Sequence, residues 1–315
     1  MHTTRFVLVL MSAILALYGG TAAAQPSLER GPRPDISERG SIHYSFETLM
    51  LDAPGGERRY RVQIARPRLA PPAAGYPAIF LLDGNAAIEA LDDELLGELA
   101  TAGPPVIVAI GYDTPLRFDV VARAHDYTPP LPGGGPQTDP LDPTRTNGGA
   151  KRFLDFIQTR VKPEVAARVP LDAKRQGVWG HSYGGLFVLH TLLTQPAAFT
   201  HYAAASPALW WRDGHLLTLE EAFGRNFTGN HTRLLVLRGD AEDRRARPPS
   251  SAARLAERER ATAALPTDAV PALVSRLGKV PGLDAQYREL PGLEHGPMLP
   301  ASLGHTLRWM AETAR

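Results

Sequence analysis

Cysteine is absent from all 315 residues, which excludes disulfides, thiolate metal sites and a lipidated cysteine as membrane anchor. Lysine is scarce, 4 residues against 30 arginines. Codon bias of a GC-rich genome explains that ratio without function; arginines that grip a planar anionic ligand would have to show themselves at particular positions. An excess of charge of either sign is missing too, since 34 basic residues face 33 acidic ones for a formal net charge of +1, which argues against general nucleic-acid binding. A long apolar run is lacking as well. The longest, Phe6 to Leu17, falls short of the roughly 20 residues a membrane-spanning helix needs, and no internal repeat is visible.

The chain opens with Arg5, that apolar run, and Ala22-Ala23-Ala24 ahead of Gln25-Pro26, the layout of a cleaved secretory signal over residues 1–24. A mature, soluble chain starting near Gln25 follows, with no stable membrane anchor, and a bacterial periplasm as its compartment ahead of full secretion. Without Arg5, 33 basic residues balance 33 acidic ones. Residues 25–40 are proline-rich and expected to be flexible. Residues 41–315 suit a single α/β domain with one core.

Alternation of Ile42, Tyr44 and Phe46, then of Tyr60, Val62 and Ile64, around Asp52-Ala53-Pro54-Gly55-Gly56 predicts an antiparallel hairpin. Short apolar runs at 78–82, 106–110, 178–179, 202–205 and 234–237, with a last strand near 285–290, alternate with helical patterns at 86–99, 151–161, 186–193, 216–223, 252–277 and 302–314. Pro266 and Pro271 divide the fifth of these into two helices. The alternation predicts a mostly parallel sheet with helices on both faces, in the order of an α/β-hydrolase. Between Gly111 and Gly149 the rhythm fails in a stretch dense in proline and glycine. Lying after the fourth strand, at the carboxyl edge of the sheet, it is expected to be an irregular substrate rim or lid, with disorder of 132–143 as the alternative.

The pentad Gly180-His181-Ser182-Tyr183-Gly184 sits between an apolar strand and a helix, the setting of a nucleophile elbow. A sharp turn there strains the serine backbone, presents its hydroxyl, and calls for glycine at the flanks. A serine hydroxyl needs a neutral imidazole to take its proton. His295, in Pro291-Gly292-Leu293-Glu294-His295-Gly296-Pro297, is the one histidine placed after the last strand. His181 adjoins the serine and is expected to point elsewhere, and His190 and His305 fall inside helices. For the orienting acid, counting from Gly239 in Arg238-Gly239-Asp240-Ala241-Glu242-Asp243 selects Glu242, with Asp243 and Asp240 open as alternatives and a solvated acidic turn as the plain reading. Oxyanion donors are expected from the backbone of Tyr183 and from Leu82-Asp83-Gly84-Asn85-Ala86, Asn85 first and Gly84 next. Acyl transfer to water by such a set calls for no metal and no organic cofactor.

With these residues placed, the chain resembles the esterase family that includes the periplasmic trilactone catecholate-siderophore esterases. The resemblance spreads across residues 25–315 and rests on Leu81-Leu82-Asp83-Gly84-Asn85, Ile110-Gly111-Tyr112, the run from Arg123 to Pro130, Gly180 to Gly185, Ala205 to Trp211 and His295-Gly296-Pro297-Met298. It implies that Ser182 attacks a lactone carbonyl with His295 as base, on enterobactin-type or salmochelin-type substrates whose iron belongs to the substrate. It further implies aromatic and arginine contacts to the catecholates, with Arg123 the first candidate and Trp210 and Trp211 as an aromatic wall; core packing is the plain reading of the tryptophans, and loop pinning that of Asp126 and Tyr127. Some members of this group work with serine and histidine and no clear acid, which implies a smaller role for Glu242 than in an ordinary triad. A general carboxylesterase on the same fold, or a siderophore-binding protein without turnover, are the competing readings.

Overall fold

The computed structural model describes residues 28–31, 34–134, 137–229, 231–242, 260 and 263–312. The signal segment 1–24, Asp243 and the first half of the helical pattern at 252–277 lie outside them. Eight strands form one sheet: β1 (Tyr44–Asp52), β2 (Arg59–Pro67), β3 (Tyr76–Leu81), β4 (Val106–Tyr112), and, numbering past a short hairpin β5 (Gln137–Thr138) and β6 (Thr146–Asn147), β7 (Leu171–His181), β8 (His201–Ala205), β9 (Thr232–Gly239) and β10 (Leu283–Leu290). Their spatial order is β1-β2-β4-β3-β7-β8-β9-β10. β1 pairs antiparallel with β2 and β2 with β4; every later pairing in this sheet is parallel. This is the α/β-hydrolase fold.

Where both faces of the parallel strands are covered, as along β3 and β4, the residues are buried throughout and split by parity between two cores, whereas the start of β7 and the edge strand β10 carry polar residues. Along β3, Phe80 enters one core and Ile79 and Leu81 the other; along β9, Leu234 and Val236 oppose Leu235 and Leu237. The first core is closed by α5 (Ala150–Phe156), α6 (Lys162–Ala166), α7 (Tyr183–Thr194), α8 (Glu220–Asn226) and α9 (Ala269–Leu277). The second is closed by α1 (Ile36–Arg39), α2 (Gly84–Glu89), α3 (Asp93–Ala102) and α10 (Met298–Glu312). No helix among the described residues is long and apolar enough to cross a membrane.

Three expectations are corrected. The helix expected over 86–99 is two, because Asp92 caps a new start by accepting from the Leu95 N–H at 2.8 Å. Residues 34–40 are anchored: Asp35 caps α1, pairs with Arg30, and sends Ile36, 1% exposed, into the second core. The stretch 111–149 is not irregular throughout. It contains α4 (Val120–Asp126), capped by Asp119, as well as the β5–β6 hairpin, and it buries Tyr127, Thr128, Asp139 and Asn147. Polar anchors hold it: Asn147 donates to the Ala124 carbonyl and to Asp139, and accepts from the Trp211 indole.

Candidate active site

β7 ends and α7 begins across Ser182, whose backbone sits at φ 61°, ψ −115°, a region that costs about 1–3 kcal/mol for a residue with a side chain. The strain is held from both sides. Its N–H donates to the Ala205 carbonyl at 2.9 Å, and its own carbonyl accepts from Leu186 and Ala208 at 3.0 and 3.1 Å. A Cβ on Gly180 would lie 2.5 Å from the Gly184 backbone, so strand and helix touch there and only glycine fits. Gly184 itself has room, since its Cβ would meet Leu82 at 3.6 Å, whereas one on Gly185 would meet the Ala205 carbonyl at 2.8 Å. The second glycine that close approach requires is therefore Gly185, because α7 packs over the end of β8.

The turn after β9 and the loop after β10 are laced together. Asp240 and Ala241 donate backbone N–H bonds to the Leu290 and Leu293 carbonyls, and the Asp240 carboxylate accepts from Gly292 at 2.7 Å. A Cβ on Gly239 would lie 2.0 Å from the Leu293 carbonyl. This contact brings Glu242 to His295: Nδ1 and Glu242 Oε2 are 3.1 Å apart. The other carboxylate oxygen accepts from Ser206 Oγ at 2.6 Å and from the Gly239 N–H at 2.8 Å. Burial works against the Glu242 charge, but the bonds from His295, Ser206 and Gly239 outweigh it and hold the carboxyl below its ordinary pKa. A carboxylate on Nδ1 favours the imidazole tautomer that leaves the Nε2 lone pair available. The His295 ring packs on that of His181, 4.5 Å between centroids. Burial first, then the neighbouring His295 and Arg123, push His181 well below its ordinary pKa.

Arg123, on α4, lies at the base of the site. Its Nε and Nη2 each donate to the Asp83 carboxylate at 2.9 Å, and Nη2 reaches the His181 carbonyl at 3.4 Å. The guanidinium also covers the Tyr183 ring at 5.7 Å. It thus touches the residues on either side of Ser182. Burial disfavours its charge, yet Asp83 more than restores it and moves the pKa further above the usual arginine value. Asp83, in left-handed conformation at φ 50°, opens α2, and its own N–H is taken by the Tyr127 hydroxyl at 2.9 Å. The side chain of Asn85 is spent on the carbonyls of Tyr112, Thr114 and Leu116. Gly84 and Asn85 press against Gly111 of β4, where a Cβ on Gly84 would lie 2.6 Å from the Gly111 nitrogen.

The two tryptophans part company. Trp211 is fully buried and donates to Asn147 Oδ1 at 3.1 Å, so the expectation that it lines the substrate wall is corrected. Trp210 is half-buried, its ring 5.9 Å from that of Tyr183. Asp126 is buried and accepts from Arg58 and from the hydroxyls of Tyr60 and Tyr112, a pin between the hairpin and α4. Reasoning from sequence missed Asp83, Asp139 and Ser206. Asp139 accepts from the Tyr183 hydroxyl at 3.0 Å and so ties the 111–149 stretch to the elbow.

Residues 54–263 match the family described as Putative esterase. The chain is 35% identical to an apo-salmochelin esterase of Escherichia coli O6:H1 (strain CFT073) over 94% of its own length and 88% of that protein. It is 32% identical to the ferri-bacillibactin esterase BesA of Bacillus subtilis (strain 168) over 84% and 88% of the two chains. Among solved structures, that of the enterobactin hydrolase IroE in complex with DFP superposes with a TM-score of 0.66 at 33% identity, covering 88% of this chain and 99% of that one.

Proposed function

The chain belongs to the Putative esterase family, and from that premise we propose that it is a serine esterase that hydrolyses the lactone bonds of trilactone catecholate siderophores of the enterobactin and salmochelin type. The observation that carries the reading is the convergence of two loops and helix α4 around the strained elbow: Glu242 on His295, His295 packed on His181, and Arg123 across the elbow's flanks. The relatives named for salmochelin, bacillibactin and enterobactin supply the substrate class.

In this reading His295 Nε2 takes the Ser182 hydroxyl proton as Oγ adds to the lactone carbonyl carbon. The carbonyl π electrons move to oxygen, and the oxyanion is met by the Tyr183 N–H and the Arg123 guanidinium. In this reading Arg123 serves as an oxyanion donor before a catecholate grip, which its fork on Asp83 and its reach to the His181 carbonyl support. One such preorganised donor is worth about 10²–10³ in rate. On collapse the ester C–O bond breaks, and the proton on His295 passes to the departing alkoxide. A water molecule then repeats the sequence on the acyl-enzyme, with Glu242 steadying the imidazolium each time. Trp210, at the edge of the elbow, is the aromatic surface for a catecholate arm. Export to the periplasm is part of the proposal and is supported by the sequence of residues 1–24.

The test is a comparison of kcat/KM for enterobactin with that for p-nitrophenyl butyrate. A preference of about 10²-fold or more for the trilactone, beyond what one or two extra apolar contacts supply, supports the reading. Equal or better use of the short ester would make the enzyme a general carboxylesterase.

A further inference from the structure

Ser206 has no part in the reaction as derived so far, yet its placement is unusual. It follows β8 directly, is 4% exposed, and adopts φ 44°, a left-handed conformation in which a serine is strained and a glycine is not. Its N–H is bound to the Leu237 carbonyl at 2.7 Å, and its hydroxyl is 2.6 Å from Glu242 Oε1. The residues around it hold the nucleophile: Ala205 accepts the Ser182 N–H, and Ala208 donates to the Ser182 carbonyl. One short segment, Ala205 to Ala208, therefore grips Ser182 by its backbone and Glu242 by a side chain.

We propose that Ser206 is a positioning residue for the reaction: its hydroxyl, with the Gly239 N–H, fixes Oε1 of Glu242 so that Oε2 points at His295, and its segment sets the spacing between nucleophile and acid. This rests on the reading of Ser182, His295 and Glu242 given above. The Glu242 side chain is 9% exposed, so water cannot readily replace a lost donor, whereas the His295 side chain, 39% exposed, depends on its partner for its orientation. Glycine at 206 would relieve the backbone but offer no donor. The serine is the residue that meets both demands, at the cost of strain.

The experiment uses the full chain and p-nitrophenyl acetate, with Ser206→Ala, Ser206→Gly, Glu242→Gln, Ser206→Ala/Glu242→Gln and Ser182→Ala. Both Ser206 variants are expected to lower kcat about ten-fold, with KM within about two-fold, because a hydrogen bond to a charged group is lost. Ser206→Gly should melt no lower than Ser206→Ala, which separates lost positioning from lost folding. In the Glu242→Gln background Ser206→Ala should cost nothing more, since the two act through one group. Full kcat in either Ser206 variant, or an undiminished ten-fold loss in the Glu242→Gln background, would overturn the proposal. Full activity of Glu242→Gln with an inactive Ser182→Ala would remove the acid and Ser206 together while leaving the nucleophile in place. Activity surviving in Ser182→Ala would instead defeat the underlying reading.

Discussion

Two glycines of one pentad should respond in opposite ways to the same small change. Replacing Gly180 by alanine puts a Cβ 2.5 Å from the Gly184 carbonyl carbon and oxygen and 2.9 Å from its Cα. All three are backbone atoms, so strand and helix must separate by several tenths of an ångström. Overpacking of this kind costs about 1–3 kcal/mol, a fall in Tm of roughly 2–10 °C for a domain of this size. Ser182 lies between the two glycines, and since misplacement by about 1 Å costs about 10²-fold, kcat should fall about ten-fold or more. Gly184→Ala meets nothing nearer than 3.6 Å and adds a better helix former, so stability should hold or rise by up to roughly 1 kcal/mol, with kcat within about two-fold. Thermal unfolding and p-nitrophenyl acetate turnover read both. A Gly180→Ala variant as stable and active as the parent, or a Gly184→Ala variant equally damaged, would refute the reasoning.

Other consequences are open to direct measurement. Glu242 has its pKa depressed in the folded state, so its stabilising contribution is complete above the unfolded carboxyl value, about pH 4.3, and drains away as pH falls through the folded one. Urea unfolding should accordingly show the stability gap between parent and Glu242→Gln closing below about pH 4.3; a gap that widens there contradicts the assignment. Arg123→Lys keeps a charge but cannot form the fork to Asp83, and kcat should drop about 10²-fold, with a smaller change in KM for enterobactin. A change confined to KM would return Arg123 to substrate binding. Trp211→Phe should lose roughly 1–3 kcal/mol by leaving the Asn147 oxygen unpaired, with KM unchanged, whereas Trp210→Ala should raise KM for enterobactin several-fold and leave Tm nearly intact.

The interior strands were legible in the sequence because their apolar runs are dictated by burial on both faces, and the elbow was legible because strand and helix touch at Gly180; the second glycine expected at the flank, Gly184, has room, and the close contact falls on Gly185 instead. The pairing of Glu242 with His295 could be anticipated only as a count from Gly239. The reason the count works is spatial: Gly239 lies against the Leu293 carbonyl, a contact between residues far apart in the chain. Arg123 shows the limit more sharply. Its charge suggested a ligand contact, but its partner, Asp83, is 40 residues away and no periodicity links them. The order within 111–149 was missed for a related reason. Asp139, Asn147 and Thr128 hold it through buried polar contacts, and such contacts leave no hydropathy pattern.

The central claim is that Ser182 opens a siderophore lactone. Parent and Ser182→Ala proteins incubated with enterobactin, with and without iron, and followed by mass spectrometry test it most directly. The account predicts linear trimer or smaller fragments from the parent and intact trilactone from the variant. Trilactone left intact by the parent in both iron states, or opened equally well without the Ser182 hydroxyl, would contradict it.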